Sequence, residues 1–207
     1  MSEPMSDQRV LPVLGQVTRE RSDAARNREA LLVAAQGLVD RCGVEGVTMD
    51  AVAELAGVGK GTVFRRFGSR SGLMAALLDL FESEWQAQVI GGPPPLGPGA
   101  PPRERLSAFA RSRLDQNLRG AALIRAASTA LLRHGPAYSF TETHVRYLLE
   151  QIGVAGDLGF LATALLAPID VLVLERQLDH DDMTVDRILA GWEDLADRII
   201  APGREQP

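Results

Sequence analysis

Three cations and a hydroxyl lie close together in one short segment of the sequence. Residues 57–73, GVGKGTVFRRFGSRSGL, contain Lys60, Thr62, Arg65 and Arg66. Glycines around a lysine and a threonine can form a loop that cradles nucleotide phosphates. A glycine turn before a short basic helix can instead grip the phosphates and bases of DNA. The spacing of the glycines distinguishes these two chemistries.

The spacing argues against a nucleotide loop. Such a loop requires glycine, four residues, then Gly-Lys-Ser/Thr, between a strand and a helix. Here Gly61 follows Lys60, so that Thr62 comes one place late, and Glu54 stands where the first glycine is required. The dinucleotide fingerprint fails as well, because position 62 is not glycine.

A helical projection favours the DNA chemistry. At about 100° per residue, three apolar side chains fall on one face of the segment: Val63, Phe64 and Phe67. The opposite face carries Thr62, Arg65 and Arg66. We therefore predict a helix fixed by buried aromatic side chains, with an outward hydroxyl and two guanidiniums that can pair with guanine or phosphate. The plainer alternative is a solvated basic face.

The segment needs a supporting helix on each side. Thr48 is the predicted N-cap of the helix MDAVAELA, with Asp50 in its first turn. An earlier helix is predicted from about Ser22 to Arg41, with an apolar stripe at Ala30, Val33/Ala34 and Gly37/Leu38. Helix starts near Thr48 and Ser69 would add backbone donors for phosphate. Lys60 and Arg70 would be flanking phosphate anchors.

The chain is predicted to be all-α, with three regions. Residues 1–21 are a flexible arm, residues 22–70 a three-helix DNA-binding head, and residues 71–207 a larger helical body. Within the body, the segment 91–102, GGPPPLGPGAPP, is predicted to be a stiff, solvated linker. The predicted helices run from Ser69 to Val89 and over 103–118, 120–134, 137–152, 157–178 with a kink at Pro168, and 184–200.

Composition limits the function. Of 207 residues 45% are apolar and 5% aromatic, with one cysteine, Cys42, and three histidines without paired spacing. We expect no disulfide, metal, cofactor, membrane segment or signal peptide, and a cytoplasmic protein. Cys42 is expected to be a small buried filler, and residues 179–182, DHDD, a solvated loop. No nucleophile–base or carboxylate pair indicates an enzyme. The net charge of −5 is uneven: residues 19–70 hold nine basic and seven acidic residues, so the head is basic and the body acidic.

Residues 28–73 resemble the DNA-binding head of the TetR/AcrR family of bacterial transcriptional regulators. The resemblance lies in a first helix, ALLVAAQGLVDRCGVEGVT, followed by MDAVAELAGVGKGTVFRRFGSRSGL. It covers about a quarter of the chain. It implies contacts with double-stranded DNA from the residues Thr48, Lys60, Gly61, Thr62, Phe64, Arg65, Arg66 and Arg70.

Three positions depart from the family pattern. Phe64 stands where a tyrosine is frequent, which removes a hydroxyl contact to phosphate. Arg66 replaces a common histidine, and Ser71-Gly72 follows Arg70 where an acidic residue usually begins the helix. These departures leave the operator sequence open.

The body is predicted to form a homodimer. The run LGFLATALLAPIDVLVL is apolar on every side, and the last helix repeats apolar residues about every 3.5 positions. The predicted interface comprises Leu161, Leu165, Ile169, Leu172, Ile188, Trp192, Leu195 and Ile199. The alternative is that these helices are simply core.

The resemblance also implies a body that binds a largely apolar small molecule. Candidate pocket residues are Phe81, Trp85, Phe109, Arg125, Thr129, His144 and Tyr147. Asp170 is either a structural acid or a polar group in a pocket. Together these features predict a ligand-responsive repressor that an inducer releases from a palindromic operator. A nonspecific or architectural DNA-binding protein without a ligand and a transcriptional activator remain as alternatives.

Overall fold

The structure is a computed structural model that describes residues 14–127 and 136–201, with side chains from residue 26 and, after the gap, from residue 139. The described residues form nine α-helices and contain no strand. The chain divides into two compact units at Arg70/Ser71. We call the part through Arg70 the head and the part from Ser71 the body.

The head contains three helices and the first residue of a fourth. These are α1 (Leu14–Cys42), α2 (Met49–Leu55), α3 (Lys60–Phe67) and α4 (Arg70–Gly91), with a 3-10 turn at Val44–Gly46. Helix α1 begins inside the predicted arm, whose residues 1–13 lie outside the described residues. α1 packs on α2, and α2 packs on α3.

The buried face of α1 differs from the predicted stripe. Leu31, Leu32, Ala34 and Ala35 are buried, whereas Ala30 and Val33 are exposed. The run ALLVAA is apolar at every position, so periodicity alone could not fix which side faces the core. Cys42 is exposed, contrary to the predicted buried filler. Its thiol donates to the Leu38 carbonyl at 3.0 Å.

The body contains the remainder of α4 and five further helices. These are α5 (Pro102–Ala126), α6 (Pro136–Ile152), α7 (Leu158–Leu166), α8 (Val171–Asp179) and α9 (Val185–Ile200). A continuous apolar core takes Trp85 and Val89 from α4 and includes side chains from all five later helices. Among them, Phe109, Leu148 and Leu165 are essentially inaccessible to solvent.

One predicted helix break in the body is wrong, and one predicted helix is bent where a kink was expected. Helix α5 continues through Gly120, where a break between two helices was predicted, because that glycine is buried in the helix interior. A Cβ there would lie 3.9 Å from the side chain of Leu78. The predicted helix 157–178 is interrupted by a 3-10 turn, Ala167–Ile169, and its two halves are bent by 41°. The kink predicted at Pro168 is thus confirmed.

The segment between α4 and α5 is exposed over most of its length, as its composition suggested, but it folds back on itself. The Gly97 amide donates to the Pro93 carbonyl at 3.0 Å, and Gly97 is buried. A Cβ on Gly97 would lie 1.9 Å from the Gly92 carbonyl oxygen. Leu96 packs against the apolar core. Glycine is therefore required at position 97 by the close approach of two backbones.

Candidate nucleic-acid interface

One cap begins α2, and glycines form the turn between α2 and α3. The Thr48 hydroxyl accepts a hydrogen bond from the Ala51 amide at 3.1 Å, so the predicted N-cap is confirmed. Gly57 has φ +66°, a backbone conformation that side chains other than glycine rarely adopt. Gly59 then caps α3. Helix, glycine turn and short second helix are the parts of a helix-turn-helix unit.

The apolar face of α3 is only partly covered. Val63 is fully buried and Phe67 is half-buried, with the Arg28 guanidinium 5.9 Å from its ring centroid. Phe64 is 42% exposed, contrary to the prediction that it is buried. The Lys60 ammonium lies 5.8 Å from the centre of the Phe64 ring. Val63 therefore anchors α3 in the apolar core of the head, and Phe64 is part of the solvent-accessible surface of α3.

The basic face of α3 is open to solvent as predicted. Arg65 and Arg66 are exposed in the last turn of the helix. The Arg65 guanidinium donates to the Thr62 hydroxyl at 3.2 Å, which joins two of the predicted contact residues. A Cβ on Gly61 would meet nothing within 4 Å, so this residue leaves open space beside the first turn.

Lys60 is paired within the head. Its ammonium lies 2.7 Å from a carboxylate oxygen of Asp50, in the first turn of α2. Both side chains remain more than half exposed, at 57% and 65%. The sequence predicts only a favourable interaction of Asp50 with the dipole of α2. It does not reveal the pairing with Lys60, because ten residues and a turn separate the two.

Arg70 joins the start of α4 to the turn before α2. Its guanidinium donates to the Val47 carbonyl at 2.9 Å and to the Val44 carbonyl at 2.6 Å, and it lies 3.6 Å from a Glu45 carboxylate oxygen. These bonds hold the residue that precedes the Thr48 cap. The side chain thus has a structural role in the head that the sequence did not indicate.

Three of the candidate pocket residues meet in an aromatic cluster of the body. Trp85 and Phe109 are buried with ring centroids 5.3 Å apart, and His144 lies 5.0 Å from Phe109. Burial, with a smaller contribution from the positive charge of Arg105, lowers the pKa of His144 to about 4. The His144 Nε2 atom is buried without a hydrogen-bond partner among the described residues.

Of the other pocket candidates, Tyr147 lies beside that cluster, with its ring centroid 6.4 Å from that of His144. Phe81 is half-buried, Tyr147 is exposed, and Arg125 is exposed in an ion pair with Glu175. Thr129 lies outside the described residues.

A cavity of about 250 Å³ opens elsewhere in the body, between α5, α6, α7 and α8. Leu166, Ile169 and Val173 contribute apolar walls, and Arg113, Asn117 and Asp170 are among its polar residues. None of the described pocket candidates lines it. The residues that do line it come from five separate elements, so no local spacing in the sequence could have brought them together.

Asp170 both lines this cavity and caps a helix. Its carboxylate accepts a hydrogen bond from the Leu172 amide at 3.0 Å, as the N-cap of α8. The sequence left open whether Asp170 is a structural acid or a pocket residue, and its side chain has both positions in the structure.

The predicted dimer residues divide into two groups. Leu165, Ile169, Ile188 and Trp192 are buried within the single chain, and the Trp192 indole N–H donates to the Leu165 carbonyl at 2.7 Å. These four belong to the body core rather than to an open face. Leu172 is exposed, and the remaining three are half-buried: Leu161, Leu195 and Ile199.

Two further observations bear on other classes of site. Within 14–127 and 136–201 no group of three or more His, Cys, Asp or Glu residues could hold a metal ion. In the same residues no single helix is long and apolar enough to cross a membrane, although the bent pair 158–169 and 171–179 passes that test jointly.

The head contains a helix-turn-helix unit, and the secondary-structure elements of the body are all helical over the described residues. Residues 31–77 match the model for bacterial regulatory proteins of the tetR family. This match covers nearly the same segment as the resemblance seen in the sequence.

Solved structures show the same fold over most of the chain. The transcriptional regulator SCO7222, a TetR from Streptomyces coelicolor, has a TM-score of 0.60 at 22% identity, over 86% of this chain and 99% of that one. A transcriptional regulator from Rhodococcus sp. Rha1 has a TM-score of 0.58 at 20% identity, over 83% and 95%. A regulator from Saccharomonospora viridis in complex with choline has a TM-score of 0.57 at 20% identity, over 84% and 96%. Curated protein sequences gave no significant match.

Proposed function

We propose that this protein is a dimeric repressor that reads a palindromic operator through α3 and releases it when a small molecule binds the body. The observation that carries the proposal is the pair of exposed guanidiniums, Arg65 and Arg66, on a short helix that Val63 seats in the head. A helix in this position of a helix-turn-helix unit enters the major groove. There an arginine can pair with both acceptors of a guanine edge.

The surrounding residues supply contacts of a different kind. Thr48 and Lys60 lie at the starts of α2 and α3, where contact with phosphate would set the position of the head on the duplex. Phe64 and Gly61 form accessible surface of α3 beside them. Arg70 holds the Val47 carbonyl, so we assign it the task of positioning Thr48.

Dimer formation would use the apolar residues of the last three helices that one chain leaves uncovered. Phe160 is 70% exposed on α7, Leu172 is half exposed on α8, and Val185 is exposed at the start of α9. Large exposed apolar side chains in adjacent elements favour a protein contact. A symmetric pair of heads would read two half-sites about one turn of DNA apart, or a multiple of it.

The effector would occupy the cavity between α5 and α8. Its apolar walls and few polar side chains have the character of a small-molecule site, at a volume near the lower end of such sites. The Saccharomonospora viridis regulator of similar fold was solved with choline, which shows that this architecture can hold a small molecule in that protein. We propose that the signal runs along α4, because Glu82 of that helix pairs with Arg113 of the cavity wall.

The first experiment selects bound duplexes from a random pool with the purified protein at two salt concentrations. We expect a palindromic motif. Arg65→Ala and Arg66→Ala should each lower affinity for it about 5- to 150-fold, as the loss of a base contact of about 1–3 kcal/mol requires. Arg41→Ala removes a charge from an exposed side chain on α1 and is the control.

Two outcomes would contradict the proposal. Binding that depends on salt but yields no motif would mean phosphate contact without base recognition, as in an architectural protein. Loss of the motif in the Arg41 variant to the same degree would mean that overall charge, rather than α3, sets affinity. A reporter gene placed behind the selected motif gives the sign of regulation, since repression requires expression to rise when the protein is removed.

A further inference from the structure

The cavity between α5 and α8 contains one acid whose charge is not balanced by a neighbouring side chain. Asp170 makes no ion pair with any residue in 14–127 or 136–201. Oδ1 of its carboxylate accepts a hydrogen bond from the Leu172 amide. The positive charge of Arg113 in the cavity wall is already neutralised by Glu82. Arg113 donates through Nη1 to both oxygens of Glu82, at 2.7 and 2.8 Å, and little of either side chain is exposed.

The helix ends at the cavity do not cancel the charge of Asp170. Asp170 lies at the N-terminus of α8, which contributes a partial positive charge of about one half. Leu166 and Ala167, at the C-terminal end of α7, also line the cavity and contribute a partial charge of similar size and opposite sign. The formal negative charge therefore remains.

The neutral polar groups of the wall offer acceptors. The Asn117 amide nitrogen donates to the Ile169 carbonyl at 2.6 Å, which leaves the amide oxygen as an acceptor. The Thr163 hydroxyl donates to the Gly159 carbonyl at 3.1 Å, so its oxygen likewise retains acceptor capacity. A ligand that hydrogen-bonds to the Asn117 and Thr163 oxygens must therefore carry hydrogen-bond donors.

We propose that the cavity selects a small organic cation, an apolar body that carries a protonated amine. The ammonium group pairs with Asp170 and donates to the neighbouring oxygens, while the apolar body packs on Leu166, Ile169 and Val173. An anion would face the uncompensated carboxylate, and a neutral molecule would lack the charge that balances it. The inference rests on the proposed function, in which this cavity is the effector site.

Three probes with the same apolar chain test the charge preference: hexylamine, hexanol and hexanoate. Their binding to the full-length protein is measured by calorimetry at neutral pH. We expect hexylamine to bind at least fivefold more tightly than hexanol, with hexanoate the weakest.

Two matched variants locate the charge that causes the preference. Asp170→Asn should bring the affinities for hexylamine and hexanol within about twofold of each other, and asparagine keeps the helix cap. Asp157→Asn is the control, because Asp157 caps α7 through the Gly159 and Phe160 amides. It removes the same charge from a cap outside the cavity and should leave the preference intact.

The inference is overturned if hexylamine does not bind, if hexanol or hexanoate binds as tightly, or if both variants change the preference equally. A second readout separates this inference from the proposed function: the affinity for the selected duplex, measured with and without each probe. Release of DNA by hexanol or hexanoate alone would keep ligand control and refute the charge preference. Selective binding of hexylamine without any change in DNA affinity would support the charge preference and refute ligand control of DNA binding.

Discussion

Under the proposed function, Asp50 would compete with DNA for the ammonium group of Lys60, so removal of the Asp50 charge should strengthen operator binding. The Lys60 ammonium, at the start of α3, lies 2.7 Å from a carboxylate oxygen of Asp50. For Lys60 to contact a phosphate, the ammonium must give up this partner or share it. The Asp50→Asn variant removes the charge and keeps the size of the side chain.

The magnitude follows from the exposure of the pair. Both side chains are more than half exposed, so the pair contributes about 0.2–1 kcal/mol. Loss of this competitor should therefore tighten DNA binding about 1.4- to 5-fold. If Lys60 then forms a full phosphate contact, the slope of log affinity against log salt should steepen by up to about 0.9.

The assay is fluorescence anisotropy with the selected duplex over a series of salt concentrations. Asp40→Asn is the control, since Asp40 is an exposed acid of the same head that bonds to Gln36 rather than to a cation. In a Lys60→Met background, Asp50→Asn should have no more effect than the control. An equal gain from both asparagine variants, or an unchanged salt slope, would refute the competition and leave only a general charge effect.

Two predictions concern the body. His144 has a pKa of about 4 in the folded chain, against about 6.5 unfolded, so the unfolded chain binds the proton first and stability falls as pH drops from 6.5 towards 4. With allowance for the partly exposed ring, the loss is about 1–2 kcal/mol. His144→Phe should flatten this pH dependence in urea unfolding, and an unchanged profile would contradict the assignment. Gly97→Ala should destabilise the body by about 1–3 kcal/mol, because its Cβ would collide with the Gly92 carbonyl. Gly191→Ala, in a helix with open space, is the control and should not lower the melting temperature.

Features that depend on near neighbours in sequence were predictable. Thr48 caps α2 by accepting a hydrogen bond from the amide three residues later, as expected. The last helix was expected to begin at Thr184, and that residue makes the same kind of cap. The bend at Pro168 follows from the missing amide hydrogen of proline. Such features need only a few residues of chain, so one sequence is enough to specify them.

Features that depend on tertiary partners were not predictable in the same way. A helical projection places Phe64 on the apolar face, yet whether it is covered depends on which helices the small head can supply. Gly120 looks like a helix stop until Leu78 packs closely against it. The apolar residues of α7 and α9 fit a dimer surface and a core equally well by spacing, and Leu165 and Trp192 prove to be core.

Two contacts of α4, one at Arg70 and one at Glu82, would let a ligand act on DNA binding under the proposed function. A ligand shifts a conformational equilibrium only if it interacts differently with the two states. Arg113 of the cavity wall is bound to Glu82 on α4, and Arg70, the first residue of the same helix, is bound to the Val44 and Val47 carbonyls beside the Thr48 cap. One continuous helix thus carries a charged contact to the proposed effector site and another to the proposed phosphate contact. Coupling between two binding sites is reciprocal. If an effector lowers the affinity for DNA as proposed, operator DNA must lower the affinity for that effector by the same factor. The segment between α4 and α5 is not needed for this path, because both contacts lie before it in the chain.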